Sequence, residues 1–299
     1  MKYYVEKNER ILNKWRKKFV EDKKNDKEYS GYKIESFFAK DGIMFKGDFE
    51  GEWKPYDNGQ TRFRWKRNPN FSENELWANA PLRILYLTKD QNINGDDLYG
   101  AWDVRSETFR YPDVNYKPED MCLHSQSTFF RNLVYSLFGI MNTKPESPMK
   151  YDRVSNEKAL KFADKQIFAR INCKKEVGED KCPNDILKKA IDNDKEYLKQ
   201  QIDNLDADIF VCCGYSESIV PTGSHILNFL NEIGYHFEQD SKEETGEWIF
   251  YDKKKNKVAI NSYHLSYSGF NYNGLITAYS IFLKNHPDFT KSHRDNSKR

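Results

Sequence analysis

From Pro81 onward, apolar runs of strand length alternate with stretches of helical periodicity, and that alternation restricts the chain to an α/β fold. The strand-like runs cover residues 82–88, 166–172, 208–214 and 257–261. Helical patterns at 127–138, 183–205, 225–233 and 272–284 separate and follow them, so parallel strands have crossover helices available. Residues 125–128 and Ser224 supply expected helix N-caps, and Gly139 and Gly234 expected stops. Residues 247–252 are expected to form a hairpin with the fourth run across a Lys-rich turn. The expected core is a three-layer α/β/α arrangement around a central, mainly parallel four-stranded sheet, spanning residues 76–289.

Ahead of this core, Val5, Ile11, Leu12, Trp15, Phe19 and Val20 recur near helical spacing, with Lys and Arg between them, which predicts an amphipathic helix over 3–22. Residues 29–71 then read as short aromatic-rich runs broken by turn signals at Asp41-Gly42, Gly47-Asp48, Gly51 and Asp57-Asn58-Gly59. Residues 1–75 are therefore expected to be a helix-and-hairpin extension packed on the core. The polar, basic residues 290–299 read as a disordered tail.

Charge alone decides little, because 48 basic and 46 acidic side chains leave a formal net charge of +2. Locally, Lys54, Arg62, Arg64, Lys66 and Arg67 are interleaved with Trp53, Tyr56, Phe63 and Trp65. That mixture suits phosphate pairing with base stacking, and it also suits the exposed face of a hairpin. The mean hydropathy of −0.91 comes with 15% aromatic residues, enough apolar mass for a core. No apolar stretch reaches membrane-spanning length and the N-terminus lacks the blocks of a secretory signal, so the cytoplasm is the expected compartment. The five cysteines are odd in number and lack a CxxC pair, which predicts reduced thiols rather than zinc or an iron–sulfur cluster.

The polar residues that close the four runs are Asp90, Asn172, Gly214 and His264. In a parallel sheet all four converge on one rim, where open α/β sheets bind ligands. Each also has an ordinary explanation: a helix cap, a turn former, a tight bend, a packed loop histidine. Together, an acid, an amide and an imidazole around one cleft make a base, a reader and a leaving-group stabiliser.

On these residues the chain resembles the uracil-DNA glycosylase superfamily. That family has Gly-Gln-Asp-Pro-Tyr after its first strand, and here Thr88-Lys89-Asp90-Gln91-Asn92 takes the place, with the aspartate alone identical. An asparagine closing a hydrophobic strand is matched by Asn172, and His-Pro-Ser after the fourth strand is matched in two positions by His264-Leu265-Ser266. The resemblance spans roughly residues 82–283 and leaves residues 1–75 outside.

The resemblance implies N-glycosidic bond hydrolysis in DNA, with no metal or other cofactor. Asp90 would activate water and stabilise the cationic sugar. His264 would donate to the departing base oxygen, and Asn172 would read the base edge with one donor and one acceptor. The base must first leave the stack. Tyr267 or Phe270 would serve as wedge, Ser266 as phosphate grip, Trp102 or Phe109 as stacking shelf, and Lys89, Gln91, Arg64 and Lys66 as further DNA contacts. His286-Pro287 repeats part of the last motif but lies beyond the last helix, where it is a decoy.

Where the family has the tyrosine that excludes thymine, this chain has Asn92. A smaller polar residue leaves room for a substituent, so the expected substrate is a modified base. A 5-substituted cytosine or uracil of the kind found in bacteriophage DNA would fit, in a host-defence role. Ordinary uracil in base-excision repair is the next reading, followed by a non-catalytic nucleic-acid-binding module on the same fold and a nucleosidase acting on free nucleosides. The expected partner is DNA, single- or double-stranded, and the expected state is a monomer away from membranes.

Overall fold

A computed structural model describes residues 3–45, 49–55, 61–67, 73–90, 103–105, 127–178 and 182–289, with the backbone alone for 49–55 and 61–67. The fold is α/β, built on one seven-stranded mixed sheet. Its parallel centre consists of β4 (Ile84–Thr88), β5 (Phe168–Asn172), β6 (Ile209–Cys213) and β9 (Lys257–Ser262). They lie side by side in the order β5-β4-β6-β9. These are the four runs expected from sequence.

The sheet is nevertheless wider than the expected four strands. β1 (Gly42–Met44) pairs antiparallel with β5 at one edge. β8 (Ile249–Asp252) pairs antiparallel with β9, closing the anticipated hairpin, and β7 (Glu238–Gln239) pairs with β8 at the other edge. β1 and β7 are three and two residues long, too short to leave a period-two pattern. β2 (Phe49–Pro55) and β3 (Thr61–Arg67) pair antiparallel as a separate two-stranded sheet, and the Asp57-Asn58-Gly59 signal falls outside the described residues.

Alternation along the strands divides the core into two layers, since successive side chains point to opposite faces. Ile84, Tyr86, Phe168, Ile209, Val211, Val258 and Ile260 face one cluster. Against it pack α3 (Thr128–Asn142), α4 (Asn156–Ala163) and α8 (Tyr272–Asn285). Leu85, Leu87, Ala169, Ile171, Phe210 and Ala259 face the other, covered by α1 (Tyr4–Lys23), α5 (Asn184–Leu205) and α6 (His225–Glu232). The short helices α2 (Glu73–Ala78) and α7 (Lys242–Thr245) complete the described α-helices. Thus α1 and β1, both within residues 1–75, belong to the central layers, and Leu12 and Trp15 are among the most deeply buried side chains.

Three local expectations change. Gly139 does not stop α3, which runs on to Asn142. A Cβ there would sit 2.4 Å from the Tyr272 hydroxyl and 2.7 Å from Ile276 Cδ1, so this glycine is a close-packing position between helices. Asp41-Gly42 is no turn: Gly42, at φ +141°, opens β1, and a Cβ would meet the Asn8 side-chain amide at 2.5 Å. Gly51 lies within β2, opposite Trp65. Gly47-Asp48 falls outside the described residues. By contrast, Ser127 and Ser224 cap α3 and α6 as expected, and Gly234 ends the second of these with φ +103°.

Gly139→Ala must displace Tyr272, whose hydroxyl donates to the Met149 carbonyl at 2.6 Å. Overpacking of this kind costs about 1–3 kcal/mol, read as a lowered urea midpoint with an unchanged slope.

Candidate active site

The carboxyl ends of the parallel strands converge as the sequence predicts, and a buried polar network lies directly beneath them. Its centre is Asp41, fully buried at the entry to β1. The carboxylate accepts from the Lys175 ammonium, from the Asn172 backbone N–H at 2.8 Å and from Gln201 Nε2 at 2.6 Å. Lys175 also donates to the Asn172 carbonyl at 2.9 Å and lies over the Trp15 ring. Asn172 is thereby held at both its backbone N–H and its C=O. Burial pulls the Lys175 pKa down, and Asp41 opposes that shift.

On the face toward α3, β4 and β5 present Thr88, Arg170 and Asn172. Arg170 Nε donates to Thr88 Oγ1 at 3.2 Å and its Nη2 donates to Asn172 Oδ1 at 3.2 Å. The Thr88 hydroxyl donates to the same amide oxygen at 2.5 Å. Asn172 Nδ2 is buried and has no hydrogen-bond partner among the described residues. Asn172 therefore offers donors alone, not the donor–acceptor pair expected of it, because its oxygen is already engaged inside the protein. Burial lowers the Arg170 pKa to about 10, so the group stays charged at neutral pH.

The Arg170 guanidinium lies 4.3 Å from the centroid of the Phe129 ring, which packs 5.9 Å from His264. His264 Nδ1 is 2.7 Å from Ser266 Oγ and accepts from the Ser266 backbone N–H at 3.4 Å. Burial, then the charges of Lys89 and Arg170, push the His264 pKa down to about 4. The ring is thus neutral at pH 7, with its hydrogen on Nε2, and that atom is buried without a partner among the described residues.

Asp90 follows β4 and is largely buried, with Lys174 Nζ at 3.5 Å. Burial raises the Asp90 pKa, and Lys174 pulls it back. Gly178 lies against it, and a Cβ there would come within 2.4 Å of Asp90 Oδ2. The Asp90 charge favours the charged form of Arg170, and the Arg170 charge in turn disfavours protonation of His264. The neighbouring Lys89 donates to Asn184 Oδ1 at 3.0 Å and to the Cys182 carbonyl at 3.3 Å, while its stem passes 3.6 Å from the Cβ position of Gly214.

Of the remaining expected residues, Tyr267 is 51% exposed, whereas Phe270 packs against the core. The Ser266 hydroxyl faces His264 Nδ1. Gln91, Asn92, Trp102 and Phe109 lie outside the described residues. So do the side chains of Arg64 and Lys66, whose register positions oppose Glu52 and Glu50. His286, expected to be a decoy, pairs with Asp240 at 2.8 Å and packs on Tyr251 and Phe282.

Several contributors were not singled out beforehand. Arg170 was legible in principle, as an arginine within an apolar strand that shares a face with Asn172 two residues on. Asp41 and Lys175 carried no such signal. Tyr215, Trp248 and Tyr263 form an aromatic cluster with Tyr267 beside the His264 loop, with ring centroids 5.1–5.8 Å apart. Among the described residues no group of His, Cys, Asp or Glu is placed to hold a metal ion, and the cysteines Cys173, Cys182, Cys212 and Cys213 are free thiols. No described helix is long and apolar enough to cross a membrane. No family model, curated protein or solved structure matches the chain.

Removing one member of the buried pair leaves an uncompensated charge. Lys175→Met should lose about 3–5 kcal/mol in urea unfolding. Lys175→Met combined with Asp41→Asn should lose less than the sum of the two single losses.

Proposed function

We propose that the protein is a monofunctional DNA glycosylase related to the uracil-DNA glycosylase superfamily, acting as a cytoplasmic monomer on a flipped-out modified pyrimidine in host defence. The observation that carries this reading is the arrangement at one end of the sheet. A largely buried carboxylate, Asp90, two residues past β4, and two buried donors with no described partner, Asn172 Nδ2 closing β5 and His264 Nε2 two residues past β9, all stand at the carboxyl end of the parallel strands. The strand order also favours a ligand here. From β4 the chain goes to β5 on one side and then to β6 on the other, so the strand order reverses between β4 and β6, the position at which open α/β sheets bind ligands.

Hydrolysis would proceed with Asp90 accepting a proton from water while the water oxygen bonds to C1′ of the deoxyribose. The C1′–N1 bond breaks and its electron pair goes to the base. Neutral His264, donating from Nε2, stabilises the negative charge arriving on the base oxygen, and the cations Arg170 and Lys89 add to that field. Asp90 as carboxylate stabilises the positive character of the sugar. Protonation of the base from solvent completes the balance, leaving an abasic site. Tyr267, in its aromatic cluster, is suited to stacking on an unpaired base or filling the gap left by the flipped one.

The direct test is abasic-site formation on oligonucleotides containing uracil or phage-type modified pyrimidines. Wild type should release a modified base, and Asp90→Asn should lower the rate by about 10²–10⁴ while DNA binding persists. His264→Ala should likewise slow release and spare binding. A protein that binds DNA and produces no abasic sites from any of these substrates is a binding module instead. Release from uracil DNA alone removes the modified-base assignment.

Lys174 gives a second test with a defined sign. Its charge favours the Asp90 carboxylate, so Lys174→Met raises the Asp90 pKa further. The active form is the carboxylate, and the acid limb of kcat/KM should therefore move to higher pH. An unmoved limb would show that Asp90 is not the group titrating there.

A further inference from the structure

The hydrogen bonds around Asn172 bear on which pyrimidine could be accepted. A guanidinium has donors and no acceptor, so the contact with Arg170 requires the amide oxygen, not its nitrogen, to face that side. Thr88 donates to the same oxygen. With two donors already on it, the carbonyl is unavailable to a ligand, and the amide group left over is Nδ2, fully buried and without a described partner. His264 presents the same polarity from the fourth strand: the Ser266 backbone N–H occupies Nδ1, leaving Nε2–H. Both groups therefore offer hydrogens, in the field of the cationic Arg170 and Lys89.

The two pyrimidine types differ at this edge. A cytosine-type ring has an unprotonated N3 beside the O2 carbonyl, two adjacent acceptors. A uracil-type ring has N3–H, a donor flanked by carbonyls. With O2 of either ring on the His264 Nε2–H, the adjacent edge atom set against Asn172 Nδ2 is N3: the cytosine-type ring completes a hydrogen bond there, whereas the uracil-type ring opposes donor to donor and leaves a buried group unsatisfied.

We propose that Arg170 is a specificity-determining residue which, by engaging the Asn172 carbonyl, makes the pocket select cytosine-type over uracil-type bases. The proposal rests on the glycosylase reading and narrows its substrate to a 5-substituted cytosine. Arg170 acts through Asn172 and need not touch the base. Thr88 supports it by donating to the same oxygen.

The test holds the 5-substituent constant and varies the ring edge alone. Oligonucleotides carrying 5-hydroxymethylcytosine or 5-hydroxymethyluracil, single- and double-stranded, are incubated with wild type and with Arg170→Gln, and abasic sites are counted after alkaline cleavage. Wild type should release the cytosine-type base at least about tenfold faster by kcat/KM, in line with one unsatisfied buried donor. Arg170→Gln should shrink or reverse that ratio. Thr88→Val, which removes a single hydroxyl and keeps the side-chain shape, should move the ratio the same way and serves if the arginine variant does not fold. A ratio is the chosen readout because general destabilisation lowers both rates together. Equal or faster release of the uracil-type base by wild type overturns the proposal and leaves the glycosylase reading standing. Release of neither base overturns the proposal, and the glycosylase reading falls with it only when uracil-containing DNA yields no abasic sites either.

Discussion

The ion pair between Asp41 and Lys175 is the interaction on which the remainder of the architecture depends. It is buried at both partners and ties together elements far apart in sequence. Asp41 enters β1, Lys175 follows β5, and Gln201 and Asn8 bring in α5 and α1 through hydrogen bonds to Asp41 or to each other. Desolvating two charges is expensive, and such a pair is weak evidence for net stability. Its effect is geometric. The carboxylate and the ammonium together hold the main chain of Asn172, so the asparagine that closes β5 is fixed before any ligand arrives. Preorganisation of this kind matters more for a site than the worth of the pair itself.

The two ends of the parallel strands differ in how their polar groups are satisfied. At the amino end, Arg83 bonds to Asp208 and Asp206, and Lys257 bonds to Asp206, so charge is matched locally within one compact cluster. Such a cluster has structural work and little capacity left for a ligand. At the carboxyl end, burial strips water from Asp90, Asn172, Arg170 and His264, yet two of their donors have no described protein partner. Buried polar groups without partners are costly in a native fold and are expected mainly where something else is meant to complete them.

Much of this was legible from residue patterns, and for identifiable reasons. The four parallel strands are continuous apolar runs because both their faces are covered, and the long helices carry one clear apolar face each. Gly234 was readable as a stop because it lies just past a periodic segment. Gly139 misled because its use lies in the approach of Tyr272 from another helix, which no local pattern encodes. Asp41 looked like half of a turn dipeptide, and Lys175 stood out in no pattern. Their burial arises from long-range pairing, where residue type points the wrong way. Asn172 was singled out by its place at a strand end, but the direction its amide faces depended on Arg170 two positions earlier.

The sheet also terminates in a particular manner. Its outermost strands are three and two residues long, β1 and β7, while the long strands lie inside. An edge so short exposes few unpaired backbone groups, so a passing strand finds almost no ladder to extend. Self-association by strand addition is thereby discouraged at both flanks. For a chain in which 15% of residues are aromatic, the described edges of the central sheet thus offer little ladder on which a second copy could stack strand to strand.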